Sequence, residues 1–320
     1  MFNHDSTYKF STEGLITMSL DEYFILQQTE LENFEKLKKN RILPNFNIYF
    51  ILKRPKVTFN VEKTVISKKI ITLEFFVQLK NHKEKRIIDL RNPFDSTNIK
   101  IDSSFPYSEF TIFNDENKFS YNCGTFLDEI QRIRPIEDYE LDYEVLYIGQ
   151  SFDENGKRDA VDRLKSHSTL QKIYSDSISK NPDSDIWLML CNFQKSNIIS
   201  INGLINSTES DENEEQRIMN FLKTNISEKQ IINYTEAALI KTFKPKYNKE
   251  YKNSFPSINH QSYDECYKLD INTIIIIMEI DLNRNLYTSH KPRSENYFIF
   301  EQHLLVNSKD RYNFFFNEYL

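Results

Sequence analysis

Glycine is scarce, with five residues in 320. A chain so poor in the most permissive residue is neither a Gly-rich linker nor a collagen-like repeat. Cysteine is scarce too. Cys123, Cys191 and Cys266 are odd in number and far apart, with no Cys-x-x-Cys and no Cys/His cluster, which argues against a structural zinc site. Long apolar runs are missing: "TIIIIMEI" from Thr273 is the longest, far short of the roughly 20 residues of a membrane span. The opening "MFNHDSTYKF" has no basic region and no apolar region, so no secretory signal is read there. The expectation is a cytoplasmic protein with no membrane partner. Excess positive charge is also lacking. A net charge of −6 excludes a surface that binds polyanions everywhere and confines any nucleic-acid contact to a local basic patch.

What is present describes a folded chain, 39% hydrophobic and 14% aromatic. Residues 1–127 read as a β-rich domain with one helix. "FNIYFILK" (46–53), "IITLEFFVQL" (70–79), "KRIIDLR" (85–91) and "SEFTIFND" (108–115) are short, β-branched or aromatic, and separated by polar turns. "SLDEYFILQQTELENFEKLKKN" (19–40) repeats apolar residues at three- and four-residue steps, and Ser19 with Glu22 reads as a capping box, which predicts the helix. Residues 128–262 alternate strand and helix: strand 143–149, helix 159–180, strand 185–193 and helix 228–243. The acidic stretch "STESDENEEQ" (207–216) reads as a loop or helix start. After 263 the β pattern returns in "INTIIIIMEIDL" and "NYFIFEQHLL". The first of these needs cover on both faces, so the C-terminal segment is expected to dock on the rest.

The chemistry-bearing residues cluster in the middle segment. "YEVLYIGQSF" runs a strand into Gly149, where a missing side chain lets another group approach closely. On the following helix Arg163 and His167 are four apart and share a face, while Lys165 lies on another. A guanidinium facing a strand end is suited to clamp a phosphate. In "NYTEAALIKTFKPKYN", Glu236 interrupts an otherwise core-facing helix. A carboxylate at the core's edge is either solvated or holds something positive, such as Mg²⁺ shared with substrate phosphate and water. Asn248 follows Pro245 in the turn.

In this order "EVLYIGQS", "RLKSH" and "EAALIKTFKPKYN" resemble the GIY-YIG nuclease superfamily over about residues 134–257. The likeness is strongest to the N-terminal incision domains of bacterial nucleotide-excision-repair nucleases. The resemblance implies an α+β fold: a GIY-YIG-like core, with a small mixed or antiparallel sheet flanked by helices, between β-rich N-terminal and C-terminal flanks. It implies hydrolysis of phosphodiester bonds, with DNA as the partner ahead of RNA and with Mg²⁺ or Mn²⁺ as cofactor. Tyr147 would align or deprotonate water, Arg163 would bind the scissile phosphate, Glu236 would hold the metal, and Asn248 would support the site. His167 matches a histidine one turn after that arginine. Lys157, Arg158 and Lys165 are candidate phosphate contacts. The family's first signature, Gly-Ile-Tyr, belongs about ten residues before Tyr147, where the chain reads "RPIEDYEL". Ile136 stands at the tyrosine's place, with Tyr139 and Tyr143 as possible substitutes. A second reading therefore stands beside the enzyme: the same module without catalysis, binding nucleic acid or protein.

Overall fold

Ile48–Pro55 and Tyr143–Gln150, nearly a hundred positions apart, lie side by side and antiparallel in a mixed seven-stranded sheet. The computed structural model describes residues 7–40, 43–135, 138–152, 159–201, 206–224, 226–257, 264–294, 297–306 and 311. The first part of the chain forms β1 (Thr7–Tyr8), β2 (Thr12–Leu26), α1 (Leu31–Asn40), β3 (Ile48–Pro55), β4 (Val57–Phe59), β5 (Val65–Ile66), β6 (Ile70–Leu79) and β7 (His82–Arg91). Then come β8 (Lys100–Asp102), β9 (Glu109–Phe113), β10 (Lys118–Asn122), α2 (Cys123–Ile133), β11 (Tyr143–Gln150), α3 (Ala160–Lys165), α4 (Ser168–Lys180) and β12 (Ser184–Ile201). The last part holds β13 (Asn206–Ser207), α5 (Asp211–Lys223), α6 (Glu228–Phe243), α7 (Asp264–Lys268), β14 (Thr273–Glu279), β15 (Leu286–Tyr287) and β16 (Phe298–Leu304). The fold is α+β.

The large sheet has the order β15–β11–β3–β12–β2–β14–β16. β3 is almost wholly apolar because both its faces are covered. Ile48, Phe50 and Leu52 face α6 and the β14 side of the core; Tyr49 and Ile51 face residues of α1, α3 and α4. β14, "TIIIIME", runs parallel beside β2, with Thr273 opposite Leu15 and Ile277 opposite Ser19. Its isoleucines are largely buried. Strands from residues 12–26 and 48–55, from the middle of the chain and from beyond 263 thus share one sheet. Boundaries at 127/128 and 262/263 would cut through it, so the three-domain division is corrected.

Residues 56–142, between β3 and β11, build a separate body. It consists of β4, β6, β5 and β7 in one small sheet, β8, β9 and β10 in another, and α2. Its own core contains Phe59, Leu73, Phe75, Phe110, Leu127 and Leu141, with Phe59 and Phe110 stacked at 4.7 Å.

Two helical expectations change. Residues 19–26 belong to β2, which pairs with β12 from Leu26 opposite Leu188 to Thr12 opposite Ile201. So long a ladder overrides the local helical spacing. Only Leu31–Asn40 is α-helical, and the capping box before it joins Gln27 and Glu30 instead of Ser19 and Glu22. The helix expected over 159–180 is two helices, broken at Ser166 and His167. The acidic stretch starts α5, capped by Ser210. Among the described residues no helix is long and apolar enough to cross a membrane.

Candidate active site

The end of β11 is shaped by an irregularity. Val145 pairs with Leu52 but Tyr147 with Ile51, so Leu146 is an extra residue in the ladder. Such a bulge re-aims the side chains beyond it. Here it turns Tyr147 toward the α3–α4 side, where Leu146 and Tyr147 both pack with Tyr49. Asn248 holds the bulged strand from its free edge. Its Nδ2 donates to the Ile148 carbonyl at 2.7 Å, and its Oδ1 accepts from the Ile148 N–H at 2.9 Å. Next to it the Tyr247 N–H donates to the Leu146 carbonyl at 3.0 Å. Asn248 is a positioning residue, clamping the backbone one residue from Tyr147.

Gly149 sits directly opposite Tyr49. A Cβ on Gly149 would stand 2.5 Å from the Tyr49 ring and hydroxyl and 2.8 Å from the Tyr147 ring. The glycine is therefore what lets the two phenols meet. Their ring centroids are 6.2 Å apart, and the His167 ring is 5.5 Å from Tyr49 and 5.4 Å from Tyr147.

The helix break aims His167. As the residue capping α4, it accepts the Leu170 N–H on Nδ1 at 3.2 Å, leaving the ring proton on Nε2. Nε2 then donates to the Tyr49 oxygen at 3.0 Å. Burial, and next the charge of Arg163, pull the His167 pKa down, which keeps the imidazole neutral at physiological pH. Arg163, exposed at the end of α3, also reaches the Tyr49 hydroxyl. Tyr49 in turn hydrogen-bonds Tyr147. Burial raises the pKa of both phenols. Tyr147 is raised further by the negative charge of Glu236, and Arg163 opposes the rise in each.

Glu236 comes from α6, on the other face of the sheet from α3 and α4. Its negative charge acts on both phenols from there. The Gln150 side chain donates to its Oε2 at 2.8 Å and to Asn233 Oδ1 at 2.7 Å. The Gln150 backbone holds it as well. Burial, and then the nearby charge of Glu250, push the Glu236 carboxyl up to about 7 despite those donors. No Lys or Arg pairs with it among the described residues. A half-buried carboxylate without a counter-charge suits a cation. No group of three or more His, Cys, Asp or Glu side chains is gathered among the described residues. A divalent ion here would have Glu236 as its one carboxylate, with its other positions left to water and substrate phosphate.

Of the residues expected from the sequence, Tyr147, Arg163, His167 and Glu236 converge here, and Asn248 supports the strand behind them. Lys165 does not join them: its ammonium is 2.7 Å from Glu35 on α1, an ion pair between helices. Lys157, Arg158 and Ile136 lie outside the described residues. The substitutes considered for the first signature are elsewhere. Tyr143 is buried at the far end of β11, donating to Asp128 at 2.6 Å, and Tyr139 is in a short 3₁₀ turn. The tyrosine that faces Tyr147 is Tyr49, in "NIY" at 47–49. Its signal is in the sequence, but it lies far upstream of the place where a tight hairpin would put it. Gln150 and Glu250 carry no signal of their own. No family model, no curated protein and no solved structure matches this chain.

Proposed function

We propose that the chain is a divalent-metal-dependent nuclease of GIY-YIG type, hydrolysing phosphodiester bonds in DNA. The observation that carries this reading is the pairing of "NIY" and "YIG" on adjacent antiparallel strands, with Arg163, His167 and Glu236 gathered at their end. Tyr49 can stand in for the missing first signature, which favours the enzyme over the inactive module.

Phosphodiester hydrolysis needs a placed water, positive charge on the phosphoryl oxygens and a route for the proton. Arg163, exposed and beside Tyr49, presents its guanidinium to the non-bridging oxygens. Tyr147, once it has given its own proton to solvent, holds the attacking water as a phenolate and takes its proton. Tyr49 donates to the Tyr147 oxygen and the neutral His167 donates to Tyr49, a chain that stabilises the phenolate. Glu236 would hold a divalent ion, which when bound would supply positive charge at the phosphate and offset the negative field that raises the phenols. Glu236 itself, held by Gln150, sets where that ion sits.

The test is cleavage of supercoiled plasmid and labelled oligonucleotides with Mg²⁺ or Mn²⁺. Wild type is expected to nick DNA, and Glu236→Gln to lose activity by about a thousandfold or more, in line with removal of a group that acts in the transition state. Tyr147→Phe and Arg163→Ala are expected to fall nearly as far. A Glu236→Gln protein that cleaves at the wild-type rate overturns the proposal, as does a wild type that cleaves neither DNA nor RNA with either metal.

A further inference from the structure

The segment after α6 concentrates positive charge in a chain that is negative overall. Residues 241–252, "KTFKPKYNKEYK", contain five lysines and one glutamate. None of Lys244, Lys246 and Lys249 pairs with a carboxylate among the described residues, a property they share with exposed lysines elsewhere such as Lys63, Lys68 and Lys69; what sets them apart is their place beside β11. Lys246 and Lys249 are exposed. Unneutralised, solvent-facing lysines this close in sequence repel one another, so a fold that pins them together leaves a site for a polyanion.

The segment is pinned firmly. Lys244 caps α6 with its N–H on the Ile240 carbonyl. Tyr247 and Asn248 are bonded to the backbone of Leu146 and Ile148, and the Tyr247 hydroxyl donates to Asp176 on α4 at 2.8 Å. Phe255, fully buried, packs against His303 at 5.4 Å and closes the far end. Lys246 and Lys249 therefore flank the two residues that grip β11 on either side of Tyr147. Glu250 lies close enough to bear on both Glu236 and Tyr147.

We infer that residues 244–249 form a basic strap along the free edge of β11 that binds the nucleic-acid backbone next to the scissile phosphate, with Lys246 and Lys249 each taking a phosphate. The inference rests on the nuclease reading for its ligand, but it is tested without cleavage. It also assigns the local basic patch that the acidic chain requires and that Lys165, held by Glu35, does not supply.

The experiment measures binding of a fluorescein-labelled DNA duplex by anisotropy over a salt series without divalent metal, in E236Q protein. Lys246→Glu with Lys249→Glu is expected to weaken binding about tenfold or more and to lower the slope of log affinity against log salt by about two, one for each phosphate no longer held. Lys246→Gln with Lys249→Gln, which adds no negative charge, should show the same slope change with a smaller loss. Lys100→Glu with Lys118→Glu, on the outer sheet of residues 56–142, should change neither. Unchanged slope in both strap variants overturns the strap and leaves the cleavage reading standing. A wild-type affinity that does not depend on salt overturns the strap as well. If the strap variants behave as expected while the wild type cleaves neither DNA nor RNA with either metal, the strap stands as a nucleic-acid-binding surface and the nuclease assignment falls.

Discussion

The two ends of the β3–β11 pair hold buried charge in opposite ways. At the far end, Asp128 is fully buried and completely engaged. It accepts Arg54 Nη1 on both oxygens at 2.8 Å, Arg284 Nε at 3.1 Å and the Tyr143 hydroxyl at 2.6 Å. The Arg54 guanidinium is sandwiched by Tyr143 and Trp187, 4.6 and 4.2 Å from their ring centres, and Gly124 leaves it room. At the near end, Glu236 has donors but no counter-ion among the described residues, and its carboxyl is pushed up to about 7 by burial and by Glu250. One end pairs its charges with each other, although Arg54 Nε and Nη2 keep no hydrogen-bond partner among the described residues. The other leaves a negative and a positive group, Glu236 and Arg163, available to something that is not protein.

The contrast can be broken most severely at Asp128. Asp128→Asn strands two arginines in the interior and is expected to cost about 3–5 kcal/mol, the usual penalty for breaking a buried pair. Urea unfolding measures it, and a loss below about 1 kcal/mol would show the far end to be no tighter than the near one. At Glu236 the sign reverses. Its folded pKa is raised, so the folded protein binds the proton more tightly than the unfolded chain. Stability from this group is full below about 4.5 and is lost as pH rises through about 7. Glu236→Gln is therefore expected to be more stable than wild type above pH 7, by up to about 3 kcal/mol, and equal to it in acid. Thermal melts across pH check this, and Mg²⁺ should shrink the difference by stabilising only the wild type. A Gln variant less stable at every pH would make Glu236 a structural residue.

Gly149→Ala sharpens the near end alone. The new methyl meets two packed rings, so about 1–3 kcal/mol of stability should be lost along with most of the cleavage activity. Activity kept at the wild-type rate would mean that the packing of Tyr49 on Tyr147 is dispensable. The smallest effect belongs to Lys165→Ala. Its exposed pairing with Glu35 should leave Tm, DNA affinity and cleavage unchanged within error. A fall in affinity alone would return it to the nucleic-acid surface.

Much of the near end is legible in the sequence because it is local. Helix 228–243 has both its bounds there, from the Ser227 cap to Pro245. "EVLYIGQ" is a strand whose aromatic and β-branched residues leave little choice. Tyr49 is not legible as a site residue because its partner is set by long-range pairing, and no local pattern reports what lies between two strands. β2 misleads for a related reason: "EYFIL" has a helix's spacing, and only its ladder with β12 makes it extended. The bend that turns His167 inward also leaves no periodic mark, since the apolar stripe of Val161, Leu164, Leu170 and Ile173 continues through it.

In an ordinary β-hairpin a tight turn sets the register of the two strands. β3 and β11 have no such turn, because residues 56–142 stand in its place. By loop-closure entropy alone, a connection roughly twenty to forty times longer than a short hairpin loop costs only about 3 kcal/mol more, so length is no obstacle to pairing. Register is the harder requirement, since a slip of one residue would send Tyr49 to the opposite face from Tyr147. The group that ties the base of the insertion to both strands is the Asp128 cluster, joining Arg54 on β3 to Tyr143 on β11. That buried aspartate replaces the missing turn: it keeps count along the strands, and the alignment of two phenols at the other end depends on its count.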